Sequence, residues 1–309
     1  MDQLTIGIFH DDGLAKDLGK KATVSDMVFH HRKFDDVIFS FIHAVDDKLS
    51  VKTQILGMID VAFVSAESIT PALGETLLLI KAMGITKGVI LVPQFSDTSQ
   101  IEKMVKDSGL NQFEIIEKNP HKIMEYLHNI SVKRNNDAPA LVTIDHAFPV
   151  KGIGEVVLGY VRKGTIHTHD KLLLLPTNKE IIIRSIQMQD NDVKEAPAGS
   201  RVGLAIKGSE INELIRGRFL CLPESGSIAQ TTTLKFQKNP YYSNPLIGKF
   251  HMTVGLQTIP GEITDITENS ISFSAEKSFC YTSDDVVLFL NLNAEKLHFI
   301  GSATVGSNF

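Results

Sequence analysis

The chain has 309 residues, 43% of them hydrophobic and 22% charged, with a formal net charge of −5 at pH 7. This composition is that of an ordinary globular protein of two or three domains. The sequence shows neither an apolar run of roughly twenty residues nor a basic leader, so we expect a cytoplasmic protein without a membrane partner. Because nucleic-acid binders often carry a basic excess, DNA is not expected as a partner and any RNA contact should be local.

Strand-like and helix-like segments alternate over the first 130 residues. Short apolar runs predict strands at 4–9, 27–33, 37–45, 61–64, 87–92 and 113–116. Apolar residues at helical spacing predict helices at 14–21, 48–59, 72–83, 99–109 and 121–130. Asp12 is the expected N-terminal cap of the first helix. This alternation favours a mostly parallel sheet with helices on both faces, and a polar link at 135–139 ends the predicted domain 1–137.

Short strands punctuated by glycine follow this link. Gly152, Gly154, Gly159 and Gly164 interrupt alternating apolar residues, and such glycines mark the bulges and corners that let a sheet close on itself. Further strands are predicted at 172–175, 181–186, 202–206 and 219–222. The spacing predicts a small closed β-barrel over residues 138–224.

The last part of the chain also has an all-strand pattern. After a link at 224–227, strands are predicted at 233–236, 246–254, 257–265, 270–274, 286–292 and 297–305. This pattern favours a second β-barrel over residues 225–309. The two cysteines, Cys221 and Cys280, lie in strand-like runs, which is typical of small buried hydrophobic residues in a reducing compartment.

Several features of the first barrel stand in the order found in one known protein family. They are Gly152-Ile153-Gly154, Val156-Val157, Gly159, Arg162-Lys163-Gly164, Ala198-Gly199, Val202-Gly203-Leu204 and Arg216-Gly217. With these features the stretch resembles the second domain of the translational GTPases of the elongation factor Tu and SelB group. The strand at 60–67 and the following helix resemble the first domain of that group. The resemblance covers the whole chain and implies an α/β domain like a P-loop GTPase followed by two β-barrels.

The nucleotide motifs of that family are missing. A phosphate-binding loop needs Gly-x4-Gly-Lys-Ser/Thr between the first strand and its helix. Here the loop is His10-Asp11-Asp12-Gly13-Leu14-Ala15, and Gly19-Lys20-Lys21 imitates the motif at the wrong spacing. The place of Asp-x-x-Gly-His is taken by His43-Ala44-Val45-Asp46-Asp47, and Asn-Lys-x-Asp becomes Gln94-Phe95-Ser96-Asp97.

These three departures predict that GTP hydrolysis is lost. Gly13 and Asp97 are then the residues of a vestigial nucleotide site, GTP and Mg²⁺ are implied only by the resemblance, and no catalytic residue is assigned. The acidic loops suggest a second hypothesis, because histidine and carboxylate groups at neighbouring strand ends suit a divalent metal. Its ligands would be His10, Asp11, Asp12, Asp46 and Asp47. The alternative for these residues is helix capping and solvation of the loops.

The resemblance also implies an RNA-binding face. In the family, the Gly-x-Gly face receives the aminoacylated 3′ end of tRNA, with an arginine commonly between the glycines; here that residue is Ile153. The candidate RNA-binding residues are Gly152, Gly154, Arg162, Lys163, Arg201 and Arg216. The alternative is that these basic residues are solvated positions of the barrel and that the glycines only bend its strands.

The leading functional hypothesis is a SelB-like translation elongation factor that has lost GTP hydrolysis and binds tRNA or the ribosome through its barrels. One alternative is a GTP-binding translational GTPase with non-standard loops. Another is a protein-interaction scaffold without an RNA role.

Overall fold

A computed structural model describes residues 2–246 and 248–305, which contain 22 strands and five α-helices. The described residues divide into two units. The first contains residues 2–132, 237–245 and 288–302, and the second contains the remaining described residues. Ile247 and the last four residues of the predicted third domain lie outside the described residues. The domain boundaries at 137 and 224 stay a prediction.

One mixed sheet forms the centre of the first unit, in the order β2-β3-β4-β1-β5-β6-β7. Its strands are β1 (Asp2–Phe9), β2 (Lys20–Val24), β3 (Met27–Phe34), β4 (Val37–Ala44), β5 (Val61–Ser65), β6 (Gly88–Val92) and β7 (Glu114–Glu117). Strands β4, β1, β5, β6 and β7 are parallel, and β2 and β3 form an antiparallel edge. Strands β5 and β6 are buried along their length, as expected for strands covered on both faces.

Five helices pack on this sheet. They are α1 (Leu14–Leu18), α2 (Leu49–Leu56), α3 (Pro71–Ala82), α4 (Ser99–Asp107) and α5 (Pro120–His128). Thr70 caps α3 by accepting a hydrogen bond from the Leu73 amide at 3.1 Å, and Pro71 suits the first helical position. Asn119 caps α5 in the same way, accepting from the His121 amide at 2.9 Å. Side chains of α1 and α5 form one buried cluster with β1, β4 and β5.

The predicted first helix was wrong beyond Leu18. Gly19 has an extended backbone, and Lys20–Val24 forms strand β2, paired antiparallel with β3. A side chain at Gly19 would place its Cβ 3.1 Å from the backbone of His31. Pairing with a distant strand therefore overrides the local helical pattern here. The Gly19-Lys20-Lys21 run that imitates a phosphate loop is the end of a helix and the start of an edge strand.

Helix α3 is attached to a distant segment of the same unit through a buried carboxylate. Glu75, 7% exposed, accepts hydrogen bonds from the backbone amides of His298 at 2.6 Å and Phe299 at 2.7 Å. The Nδ1 atom of His298 lies 3.1 Å from the second oxygen of Glu75. Hydrogen bonds to an ionised acceptor are among the stronger ones, so this contact joins α3 to the 288–302 segment without any ligand.

The predicted barrel at 138–224 is present in the second unit. Its strands are β8 (Leu141–Val150), β9 (Gly154–Lys163), β10 (Thr165–His167), β11 (Lys171–Leu175), β12 (Lys179–Met188), β13 (Asn191–Val193), β14 (Glu195–Pro197), β15 (Arg201–Lys207) and β16 (Phe219–Cys221). The pairing of β11 with β12 closes a ring that continues through β16, β8, β9 and β15. Gly159 permits that closure, because a Cβ there would lie 2.9 Å from the Thr143 carbonyl oxygen of the neighbouring strand.

A second closed barrel follows, in the order β17-β20-β19-β18-β21-β22. Its strands are β17 (Ser227–Lys238), β18 (Lys249–Val254), β19 (Gln257–Ile266), β20 (Ser270–Tyr281), β21 (Val286–Leu290) and β22 (Phe299–Thr304). The predicted fold class, an α/β domain followed by two β-barrels, is confirmed. No helix in the described part of the chain has the length and apolar character needed to cross a bilayer.

Both cysteines are buried free thiols, as predicted. They belong to one apolar cluster with Leu141, Leu175 and Phe219. Burial raises the pKa of the Cys221 thiol to about 11 and that of Cys280 to about 12. These thiols therefore remain protonated and behave as small hydrophobic side chains.

Stability of the first unit should decrease as the pH falls, because of a buried histidine. His30 on β3 is 1% exposed, neither ring nitrogen has a hydrogen-bond partner, and its ring stacks 5.8 Å from that of His43. Burial, and then the neighbouring His43, lower the pKa of His30 below its ordinary value of 6.5. The fold therefore favours neutral His30. The contribution of this residue to the free energy of unfolding is complete above about pH 6.5 and is lost at lower pH.

The measurement is the denaturant midpoint at pH 7 and pH 5. His30→Phe should show a smaller decrease between the two pH values than the wild type. His121→Gln, which changes an exposed histidine of α5, should retain the wild-type decrease. Equal decreases in wild type and His30→Phe would contradict this explanation.

Candidate functional site

Loops from five parallel strands meet at one edge of the sheet in the first unit. They follow β1, β4, β5, β6 and β7, and α/β proteins bind ligands at such an edge. We call this surface the strand-end face; it comprises residues 10–13, 45–48, 66–70, 93–98 and 118–119. The predicted nucleotide and metal residues all lie on it.

Asp11 occupies the place that a phosphate-binding loop keeps for its ligand. One carboxylate oxygen accepts hydrogen bonds from the backbone amides of Gly13 at 3.2 Å and Leu14 at 3.1 Å. The other oxygen lies 2.6 Å from the Nζ atom of Lys118, and the Asp11 side chain is 10% exposed. Amides in the turn between the first strand and its helix are the groups that hold phosphate in nucleotide-binding folds. Here an internal carboxylate satisfies them. The predicted cap Asp12 is wrong, because Gly13 is the N-cap residue of α1 and Asp11 accepts from the amides at the start of the helix.

Lys118 links two of the loops. Its Nζ atom lies 2.6 Å from Asp11 and 3.1 Å from Glu67, and the hydrogen bond to Asp11 is the main cause that raises the pKa of Lys118. The sequence interpretation missed Lys118. Its position directly after β7, where a parallel strand ends, was the available signal.

Among the other predicted metal ligands, His10, Asp12 and Asp47 have partners within the chain. His10 Nε2 lies 2.9 Å from the Thr76 hydroxyl, Asp12 lies 3.5 Å from His43, and Asp47 lies 2.5 Å from Lys52. Asp46 and Asp47 both have left-handed backbones, with φ of 59° and 52°. In the described part of the chain, no group of three or more His, Cys, Asp or Glu side chains is arranged to hold a metal ion. The structure favours capping and ion pairing for these residues.

The loop in the position of the guanine-reading motif follows β6. Asp97 accepts a hydrogen bond from the Ser99 amide at 2.9 Å, which is the main cause that lowers the pKa of the Asp97 carboxyl. The Asp97 side chain is therefore engaged at the start of α4. Phe95, two residues earlier, is 92% exposed. Sequence reasoning did not single out Phe95.

The four basic residues predicted to contact RNA are engaged in ion pairs inside the second unit. Arg201 lies 2.7 Å and Arg216 3.2 Å from the two oxygens of Asp145, which is 2% exposed. Arg162 contacts both oxygens of Asp285. Lys163 pairs with Asp284 and is the main cause that lowers the pKa of that carboxyl. Aspartates of the second unit therefore engage all four of these side chains.

The Gly-x-Gly turn of the same barrel is open to solvent. Gly152 and Gly154 have φ of 83° and 104°, and no atom lies within 4 Å of the position of a Cβ on either. Ile153 between them is 46% exposed, and its carbonyl oxygen accepts a hydrogen bond from Arg184 at 2.9 Å. Lys151 is also exposed. The sequence interpretation missed Arg184, which stands at an outward position of β12.

An aromatic pair lies on the strand that leads into this turn. The rings of His146 and Phe148 on β8 are 5.9 Å apart, and Phe148 is 36% exposed. The turn therefore combines two uncovered glycines, two exposed cations and an accessible aromatic surface.

Comparison with known proteins places these features in context. A family model described as elongation factor Tu domain 2 matches residues 154–221. Uncharacterized protein MJ0325 of Methanocaldococcus jannaschii is 33% identical over 306 residues, which are 97% of this chain and 99% of that protein. The selenocysteine-specific elongation factor of the same organism is 36% identical over 148 residues, which are 46% of this chain but 31% of that protein.

A solved structure shows the same fold over nearly the whole chain. It is the crystal structure of translation elongation factor SelB from Methanococcus maripaludis in complex with the GTP analogue GPPNHP. The TM-score is 0.81 at 22% identity, over 99% of this chain and 80% of that one.

Asp145 should be a major contributor to the stability of the barrel. Asp145→Ala removes a buried ion-pair partner from both Arg201 and Arg216, which should lower the free energy of unfolding by about 3 kcal/mol. Chemical denaturation followed by circular dichroism measures this loss. Asp265→Ala, at an exposed position of β19, is the matched control. A loss for Asp145→Ala no larger than that of the control would show that the pairs do not hold the barrel.

Proposed function

This chain belongs to the elongation factor Tu and SelB-like family of translational GTPases, and we propose that it is a translation-factor-like protein that has lost GTP hydrolysis. In this proposal it binds tRNA or the ribosome in the cytoplasm through its barrels, and the predicted parts 1–137, 138–224 and 225–309 are its functional divisions. The proposed loss of hydrolysis rests on one observation: the Asp11 carboxylate accepts hydrogen bonds from the amides of Gly13 and Leu14.

The residues on the strand-end face do not fit a nucleotide with its Mg²⁺ ion. The loop after β1 has no lysine to pair with phosphate and no hydroxyl to bind Mg²⁺. A nucleotide would have to displace Asp11 from the amides and then share Lys118 with it. Two like charges about 4 Å apart repel by about 4 kcal/mol near a protein surface, and a triphosphate would bring several negative charges close to Asp11. Gly13 and Asp97 are therefore remnants of a site, without a catalytic role.

RNA binding is assigned to the open turn of the first barrel. Lys151 and Arg184 supply exposed cations for phosphate oxygens, and the His146–Phe148 pair supplies a surface on which an unpaired base can stack. Gly152 and Gly154 allow a ligand to approach the backbone closely.

The four predicted RNA contacts are engaged by aspartates of the same unit. Arg201 and Arg216 both pair with Asp145. Arg162 and Lys163 each have an aspartate of their own.

Guanine nucleotides should not bind. Calorimetric titration of the full chain with GTP and with GDP, each with Mg²⁺, should give no saturable heat. The SelB protein of Methanococcus maripaludis, which was crystallised with GPPNHP, is the positive control under the same conditions. Saturable binding by this chain would favour the alternative of a GTP-binding factor with non-standard loops.

Aminoacyl-tRNA should bind to the turn in a salt-dependent way. Because each lost phosphate contact removes about one unit from the slope of log K against log salt, Lys151→Ala and Arg184→Ala should each weaken filter binding and flatten the salt series. Lys106→Ala, an exposed lysine on α4, should behave as wild type. If the wild type does not bind aminoacyl-tRNA, or if both turn variants bind it as the wild type does, the proposed RNA role of this turn is refuted.

A further inference from the structure

Phe95 is exposed to an extent that its chemistry does not explain. Its side chain is 92% exposed, while Tyr241 has the next largest exposure among the large hydrophobic side chains that the structure describes, at 60%. Its backbone is also left-handed, with φ of 61°. A bulky side chain is rare in that conformation, which is disfavoured for residues other than glycine, asparagine and aspartate. Local strain of this kind persists where the surrounding structure imposes it, and it clusters at functional sites.

Hydrogen bonds within the loop hold Phe95 in this position. The Ser96 amide and hydroxyl both donate to the Pro93 carbonyl oxygen, at 3.3 and 2.8 Å. Asp97 accepts from the Ser99 amide, and the Thr98 hydroxyl donates to Glu102 at 2.6 Å. The aromatic ring is therefore presented by a loop that is already ordered, so a partner would not have to order it on binding.

The strand-end face, which includes Phe95, carries more carboxylates than lysines. The face carries the carboxylates of Asp11, Asp12, Asp46, Asp47, Glu67 and Asp97. The lysines on it or paired with it are Lys48, Lys52 and Lys118. A second apolar side chain, Ile69, is 43% exposed in the loop after β5, the strand next to β6. This charge repels a nucleic-acid backbone and matches a basic protein surface.

We propose that the strand-end face is the docking surface for a protein partner and that Phe95 is its anchor. The partner has an apolar pocket that receives the Phe95 ring, and lysine or arginine side chains around that pocket face the carboxylates. Exposed aromatic residues that enter a partner's pocket dominate the binding energy of many interfaces. This surface is separate from the turn assigned to RNA, so the two proposals stand or fall independently.

The first step of the test identifies what touches the ring. The full chain with Phe95 replaced by the photo-crosslinker p-benzoylphenylalanine is irradiated in cell extract. The matched control is Phe34→p-benzoylphenylalanine, at a partly exposed aromatic position on the opposite edge of the sheet. We expect a protein with a basic surface that is crosslinked through position 95 and not through position 34. Crosslinks to RNA alone, or to no macromolecule, would overturn the proposal.

The second step measures the interaction with the identified protein after purification. Phe95→Ala should weaken binding about 30-fold, Phe34→Ala should not change it, and added salt should weaken the wild-type complex. Phe95→Gly should weaken binding to a similar extent without lowering the thermal midpoint, because glycine accepts the left-handed backbone. Equal affinity of wild type and Phe95→Ala would refute the role of Phe95.

Discussion

The ion pair of Asp11 and Lys118 is the contact on which the proposed function of the first unit depends. In a phosphate loop the amides after the first strand are left for a ligand, and a lysine neutralises that ligand. In this chain a carboxylate close to those amides satisfies them, and Lys118 at the end of β7 neutralises the carboxylate. Under the proposed function, the amides after the first strand and the nearby lysine are engaged by the chain itself and not by a phosphate group.

The contact of Glu75 with the 288–302 segment has a related consequence. In nucleotide switches, segments are ordered by the γ-phosphate and released after hydrolysis. Here a buried carboxylate holds the amides of His298 and Phe299 with groups of the chain alone. Under the proposed function, α3 and this segment need no bound nucleotide to stay together. A protein that serves as a binding module rather than a switch has no need for a releasable contact.

Charge is divided between the two candidate surfaces in opposite ways. In the first barrel, Asp145 and Asp285 engage the arginines that the family resemblance pointed to, and the exposed cations Lys151 and Arg184 remain around the open turn. On the strand-end face carboxylates are in excess around Phe95. The net charge of −5 is thus compatible with a local RNA contact, because the two signs are carried by different surfaces.

Periodicity and glycine spacing determined the domain order, the parallel sheet and both barrels, because these patterns report burial along a single strand or helix. Comparison with the family motifs predicted that the phosphate loop is missing, because that comparison needs only the order of residues along the chain. The patterns did not show that the helix stops at Leu18, since that depends on pairing with β3. Nor could they pair Asp11 with Lys118 or Asp145 with Arg201 and Arg216. Only the tertiary structure decided these contacts, because an ion pair depends on distance in space and the sequence records only order along the chain.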